Sequence, residues 1–174
     1  MSRAGFDPAR RAFLRGAPLT GEGRAGYRRE QRRLGPRPPC LPEAGEAACA
    51  DCDAPCIRSC PARIIRRHGP EHRLSGTAYL WFEQAGCTFC GACAAVCPQS
   101  QAPQGTPSPG AAHLDPDRCL SWNGVVCLSC VSRCPVRALV RDSRARVAVD
   151  SGRCTGCGQC VSACPVEAIA VRSA

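Results

Sequence analysis

Residues 87 to 98 read CTFCGACAAVCP and residues 154 to 165 read CTGCGQCVSACP, each a C-x2-C-x2-C-x3-C-P run. Thiolates at that spacing suit a 4Fe-4S cubane: three close cysteines on a tight loop reach three iron corners, and the fourth corner is filled from elsewhere. Gly91 and Gly158 follow the second cysteine of each run, where the missing Cβ lets the backbone curl with its amides turned towards sulfur. Pro98 and Pro165 then redirect the chain, and the cysteine before each proline serves the other cluster of a pair. Zinc is the competing reading. It takes two well-separated C-x2-C knuckles and has no use for a third cysteine two residues further on.

Two further groups vary the theme. Residues 49 to 61 read CADCDAPCIRSCP, with one residue more than usual between the second and third cysteines and no glycine there. Residues 119 to 135 read CLSWNGVVCLSCVSRCP, where seven residues separate Cys119 from Cys127. Both end in C-x3-C-P, which marks them as variants of the same motif; a loop of unligated thiols is the alternative.

The elements that must position these thiols are short. CPARIIRR at 60, CPVRALVR at 134 and CPVEAIAV at 164 each place apolar residues soon after the proline, as expected of a strand covering a cluster. The second group is followed instead by QSQAPQGTPSPGAAHLDP, a linker composition. The expected fold is therefore α+β: tandem bacterial 2x(4Fe-4S) ferredoxin-like modules with few short strands and helices. An irregular Arg-rich N-terminal arm precedes them. The arm takes residues 1–40, module one 41–100, the linker 101–116 and module two 117–174. Hairpins are expected from 63–67 with 77–82 and from 138–141 with 146–149.

The cross-over rule then assigns ligands. In module one Cys49, Cys52 and Cys56 join Cys97, while Cys87, Cys90 and Cys93 join Cys60. In module two Cys119, Cys127 and Cys130 join Cys164, and Cys154, Cys157 and Cys160 join Cys134. Cys40, in RPPC, is left over and is expected to be a bystander thiol. Tyr79, Trp81, Phe82 and Phe89 are expected to shield cluster faces, with a docking surface as the alternative. His68 and His72 have metal-ligand spacing for a helix, but the Gly-Pro between them predicts a solvated turn.

Composition agrees with a chain held by cofactors. Leu, Ile, Val and Phe make up about a sixth of the 174 residues, the range in which an unstapled polypeptide tends to disorder. The 17 cysteines must therefore act as disulfides or as metal ligands. Disulfides need an oxidising compartment and usually a signal peptide, and no apolar run of signal or transmembrane length occurs. The formal charge of +9 invites a nucleic-acid reading. Four clusters, each about −2 with its thiolates, bring the loaded protein to about +1.

What remains is local: residues 1 to 37 hold ten Arg against Asp7, Glu22 and Glu30. Without interleaved aromatics this arm suits an acidic protein partner better than nucleic acid. Within it Arg10, Arg11, Phe13, Leu14 and Arg15 form a twin-arginine-like segment, the candidate contact for a partner. Charges and glycines recur through the residues that follow, so the segment lacks the apolar stretch of a working export signal and the protein is expected to stay in the cytoplasm. No Ser-His-Asp set, phosphate loop or paired acidic motif suggests an enzyme.

RRAFLRG near the start, RPP at 37 to 39, CTFCGAC at 87, GVVCLSC at 124 and CTGCGQC at 154 together resemble the NapF-type ferredoxins, accessory iron–sulfur proteins of periplasmic nitrate reductase operons. The extra residue in the first group departs from that pattern, as does Cys40, which stands where an aromatic is expected after RPP. The resemblance implies a protein that binds the catalytic subunit NapA in the cytoplasm and assists its maturation by electron transfer or iron–sulfur supply, using three to four 4Fe-4S clusters. The alternative is an electron-transfer subunit of a stable oxidoreductase complex.

Overall fold

The computed structural model describes residues 35–41, 49, 51–100 and 108–173. Among the described residues each cysteine group holds a short helix: α1 (Pro55–Ser59), α2 (Ala92–Ala95), α3 (Ser129–Arg133) and α4 (Gln159–Ala163). Each carries the third cysteine of its group and ends against the fourth. Helices of four or five residues are far below the length at which a helix persists alone, so packing must hold them. They pair, α1 against α2 and α3 against α4.

Their starts show how the groups differ. Gly91 and Gly158, at φ 74° and 76°, turn the chain into α2 and α4 from the left-handed region. In the first group Ala54 takes that turn at φ 50°, and Pro55 opens the helix behind it. The extra residue is thus absorbed in the turn, although a Cβ there carries a left-handed cost of roughly 1–2 kcal/mol. In the third group Leu128 enters α3 at φ −128°, and the left-handed residue is Gly124, further upstream.

The exits repeat more closely. Three residues after Cys60, Cys134 and Cys164 the chain turns left-handed at Arg63, Arg137 and Glu167, with φ 53°, 52° and 53°. Each of those residues donates its N–H to the cysteine carbonyl, at 3.0, 3.2 and 3.3 Å. Short strands follow. β1 (Ile65–Arg67) pairs antiparallel with β2 (Ala78–Leu80), Ile65 opposite Leu80. Further along, β4 (Leu139–Arg141) pairs with β5 (Val147–Val149), Leu139 opposite Val149. Both hairpins fall where the alternating apolar residues predict them.

A third pair corrects the expected linker. Within 101–116 the structure forms β3 (Ala111–Leu114), antiparallel to β6 (Ile169–Arg172), with Ala112 opposite Val171 and Leu114 opposite Ile169. Proline and glycine just before it mask a four-residue strand that buries Ala112. The segment at 35–41 likewise belongs to the first half: Leu80 N–H donates to Pro36 O at 2.9 Å and Gly35 N–H to Leu80 O at 2.7 Å. Its prolines, lacking donors, are confined to such an edge position.

Phe82 joins the two halves. It is 1% exposed, and its ring fills the space that a Cβ on Gly158 would occupy. Beside it Cys87 N–H donates to Cys157 O at 2.6 Å, and Gly86 abuts the backbone at Cys157 and Gln159. Among the described residues no helix is long and apolar enough to cross a membrane.

Candidate metal centres

Three cavities are walled by cysteines from two groups at once. The first, about 380 Å³ including its mouth, is lined by Cys49, Cys52, Cys56 and Cys97, with Cys40 as a fifth thiol. The second, about 300 Å³, has Cys119, Cys127 and Cys130 with Cys164; the third, about 270 Å³, has Cys154, Cys157 and Cys160 with Cys134. In each, three thiols come from one loop-and-helix and the last from the exit turn of its partner group, because the paired helices run side by side. The remaining set, Cys87, Cys90, Cys93 and Cys60, is also gathered: the Cys87 thiol lies in the field of the other three.

The donor chemistry fits an iron–sulfur core. Among the described residues no charged side chain lines any of the three cavities; the walls are thiols, Ala, Val, Leu, Ile, Pro, Gly and a few neutral polar residues. Burial, and then the nearby Cys49, pushes the Cys56 thiol up to about 11; burial, and then Cys164, does the same to Cys130. Cys160 is raised further, again by burial first and then by Cys157 and Cys154. Crowded thiols of this kind ionise only when a positive core arrives with them. Among the described residues no three Cys, His, Asp or Glu side chains converge on the volume of a single ion. The thiols stand around cavities, as a polynuclear group requires.

Backbone donors are already aimed at sulfur. Ala138 N–H reaches Cys134 Sγ and Ala168 N–H reaches Cys164 Sγ, both at 3.2 Å and both four residues past the cysteine. The left-handed residues at 137 and 167 create this geometry by turning the next amide back. Phe89 N–H donates to Cys87 Sγ and Ala112 N–H to Cys154 Sγ, each at 3.4 Å. The Ala112 donor comes from β3, inside the stretch that composition marks as linker. Such bonds favour the thiolate and the more negative oxidation state of a bound cluster.

Other expectations need correction. Tyr79, Trp81 and Phe82 line none of the three cavities, while Phe89 stands between Cys87 and Cys90 of the fourth set. Phe82 is core, at the contact of the two halves. Tyr79 and Trp81 alternate with buried Ala78, Leu80 and Phe82, so they face outward along the β1–β2 hairpin. There His72 stacks on His68 at 3.9 Å and His68 on Tyr79 at 4.3 Å. The turn between the histidines agrees with the Gly-Pro signal, and His72 Nδ1 accepts from Leu74 N–H. Cys40 is 6% exposed and lines the first cavity. Arg10, Arg11, Phe13, Leu14 and Arg15 lie outside the described residues.

Comparison with known proteins points the same way. Residues 48–102 and 79–135 match models described as a 4Fe-4S dicluster domain, and residues 147–170 match a 4Fe-4S binding domain. The chain is 30% identical over 165 residues to the methylamine utilization ferredoxin-type protein MauM of Methylorubrum extorquens, covering 83% of this chain and 74% of MauM. It is 31% identical over 115 residues to the ferredoxin-type protein NapF of Escherichia coli (strain K12). The chain belongs to this ferredoxin-type family. The NapF match takes in 63% of this chain and 66% of NapF, just under two thirds of its length. As a ferredoxin-type protein, the chain carries multiple 4Fe-4S clusters. A solved formate dehydrogenase–heterodisulfide reductase–formylmethanofuran dehydrogenase complex from Methanospirillum hungatei is 22% identical, covers 74% of this chain and 51% of its own, and has a TM-score of 0.31. A score that low carries no argument.

Proposed function

We propose that this ferredoxin-type protein holds up to four 4Fe-4S clusters and serves in the cytoplasm as an electron-transfer or cluster-supply partner of NapA, the catalytic subunit of a periplasmic nitrate reductase, before that subunit is exported. The observation that carries the iron–sulfur part is the mixed origin of the thiol sets, three cysteines from one group and one from its partner, around cavities with no charged wall among the described residues. The ligands are then Cys49, Cys52, Cys56 and Cys97; Cys87, Cys90, Cys93 and Cys60; Cys119, Cys127, Cys130 and Cys164; and Cys154, Cys157, Cys160 and Cys134. Bound there, a cubane supplies reversible one-electron exchange.

The chain's own groups hold, tune and connect these sites. Amides at Phe89, Ala112, Ala138 and Ala168 stabilise charge on sulfur. The Cys87–Cys157 backbone bond brings a ligand of one half against a ligand of the other. No substrate bond need be made or broken, so the protein is no enzyme. The likeness to NapF supports NapA as partner, and the Arg-rich arm supports an acidic contact surface on it.

Anaerobic purification tests the cluster reading: a colourless product without iron or labile sulfide refutes it. The partner is tested by capture of unexported NapA in cytoplasmic extract, with the full chain and with a version starting at Arg33. Equal capture by both refutes a role for the arm, and capture by neither refutes the NapA assignment. A second reading makes the chain an electron-transfer subunit of a stable oxidoreductase complex; its relatives named for methylamine utilization carry the family beyond nitrate reductase systems. That reading requires a complex that survives purification.

A further inference from the structure

Five thiols stand at the first cavity, while four stand at each of the other two. The fifth, Cys40, is fixed there by its own segment. Gly35 and Pro36 are tied to Leu80, Leu41 N–H closes a turn onto Pro38 O at 3.0 Å, and Pro38 is fully buried. Cys40 is buried and lines the cavity beside Cys49, Cys52, Cys56 and Cys97.

Cys97 stands on weaker support. It leaves α2, a four-residue helix with no buried residue, and Pro98 and Gln99 beyond it are exposed. A cubane has four corners for these five donors. All five are soft thiols of the same intrinsic affinity for iron, so position alone chooses among them.

We infer that Cys40 is a reserve ligand of the first cluster site, able to take the iron corner of Cys97 when that thiol is absent. The exchange is a ligand substitution at one iron: the Cys40 sulfur would bond that iron as the water at the open corner leaves, the thiol proton would depart with that water as hydronium, and no electron is gained or lost. The irregular spacing of the first group gives the device a purpose. Cys49, Cys52 and Cys56 are spread by an extra residue, and a second route to the fourth corner keeps the site filled.

The inference rests on the four-cluster reading above, and the test separates the two. The full chain is purified anaerobically as wild type, Cys97→Ala, Cys40→Ala and the double variant, and iron, labile sulfide and electron paramagnetic resonance spectra are recorded. Both single variants are expected to match the wild-type iron content. The double variant is expected to lose one cluster's iron or to hold a 3Fe-4S form at that site. A deficit in either single variant, or none in the double, overturns the inference. Absence of iron from the wild type overturns the cluster reading instead. Should Cys97→Ala fail to fold, Cys97→Val with and without Cys40→Ala asks the same question: loss only in the double supports the reserve thiol, and equal loss overturns it.

Discussion

At the scale of single residues, glycine and cysteine carry the site for opposite reasons. Gly91 and Gly158 adopt the same left-handed turn, yet a Cβ on Gly91 meets nothing, whereas one on Gly158 meets the Phe82 ring. Gly91→Ala should therefore cost only the backbone term, about 1–2 kcal/mol. Gly158→Ala should add an overpacking term of about 1–3 kcal/mol. Urea unfolding of the loaded protein under anaerobic conditions reads the difference, and equal costs would refute the packing role of Gly158. The cysteines give a pH dependence. Burial keeps protons on Cys56 and Cys130 up to about 11, and a cluster can bind only by displacing them. Acidification therefore weakens the holoprotein, by about 1.4 kcal/mol per displaced proton per pH unit. Iron transfer to a chelator should accelerate as pH falls from mildly alkaline to mildly acid; a flat profile would contradict this assignment.

At the scale of elements, strand β3 does more than close a sheet. Its Ala112 N–H is directed to Cys154 Sγ, so replacing that donor with Ala112→Pro removes one stabilising bond from the sulfur of that site. The reduced, more negative state loses more than the oxidised one, and the reduction potential of that cluster should fall. A redox titration followed by electron paramagnetic resonance measures it, and an unchanged potential would remove the tuning role. The hairpins β1–β2 and β4–β5 were legible in RIIRR, TAYLWF, ALVR and RVAV, because alternation and β-branched residues mark them. The strand at 111–114 was not, because its four residues are too few for a period to emerge from Pro- and Gly-rich surroundings.

At the scale of the whole molecule, the two halves meet through Phe82 and the Cys87–Cys157 backbone bond. Phe82→Ala should cost about 3–5 kcal/mol and uncouple the halves, turning one calorimetric transition into two. A single transition with an unshifted midpoint would show that the contact carries no stability. Such a contact leaves no mark in sequence, since Phe82 and Gly158 are far apart in the chain and each fits an ordinary local role. The sequence by itself determined the chemistry: sixteen cysteines in four C-P-terminated groups, because coordination by loop thiols depends on local spacing. It also determined the exit strands, which follow from local turn geometry. Tertiary structure alone decided that an RPP-led cysteine joins the first cavity, that β3 supplies an amide to Cys154, and that Phe82 occupies the missing Cβ of Gly158. These depend on which distant segments share space, and close packing, not periodicity, sets that.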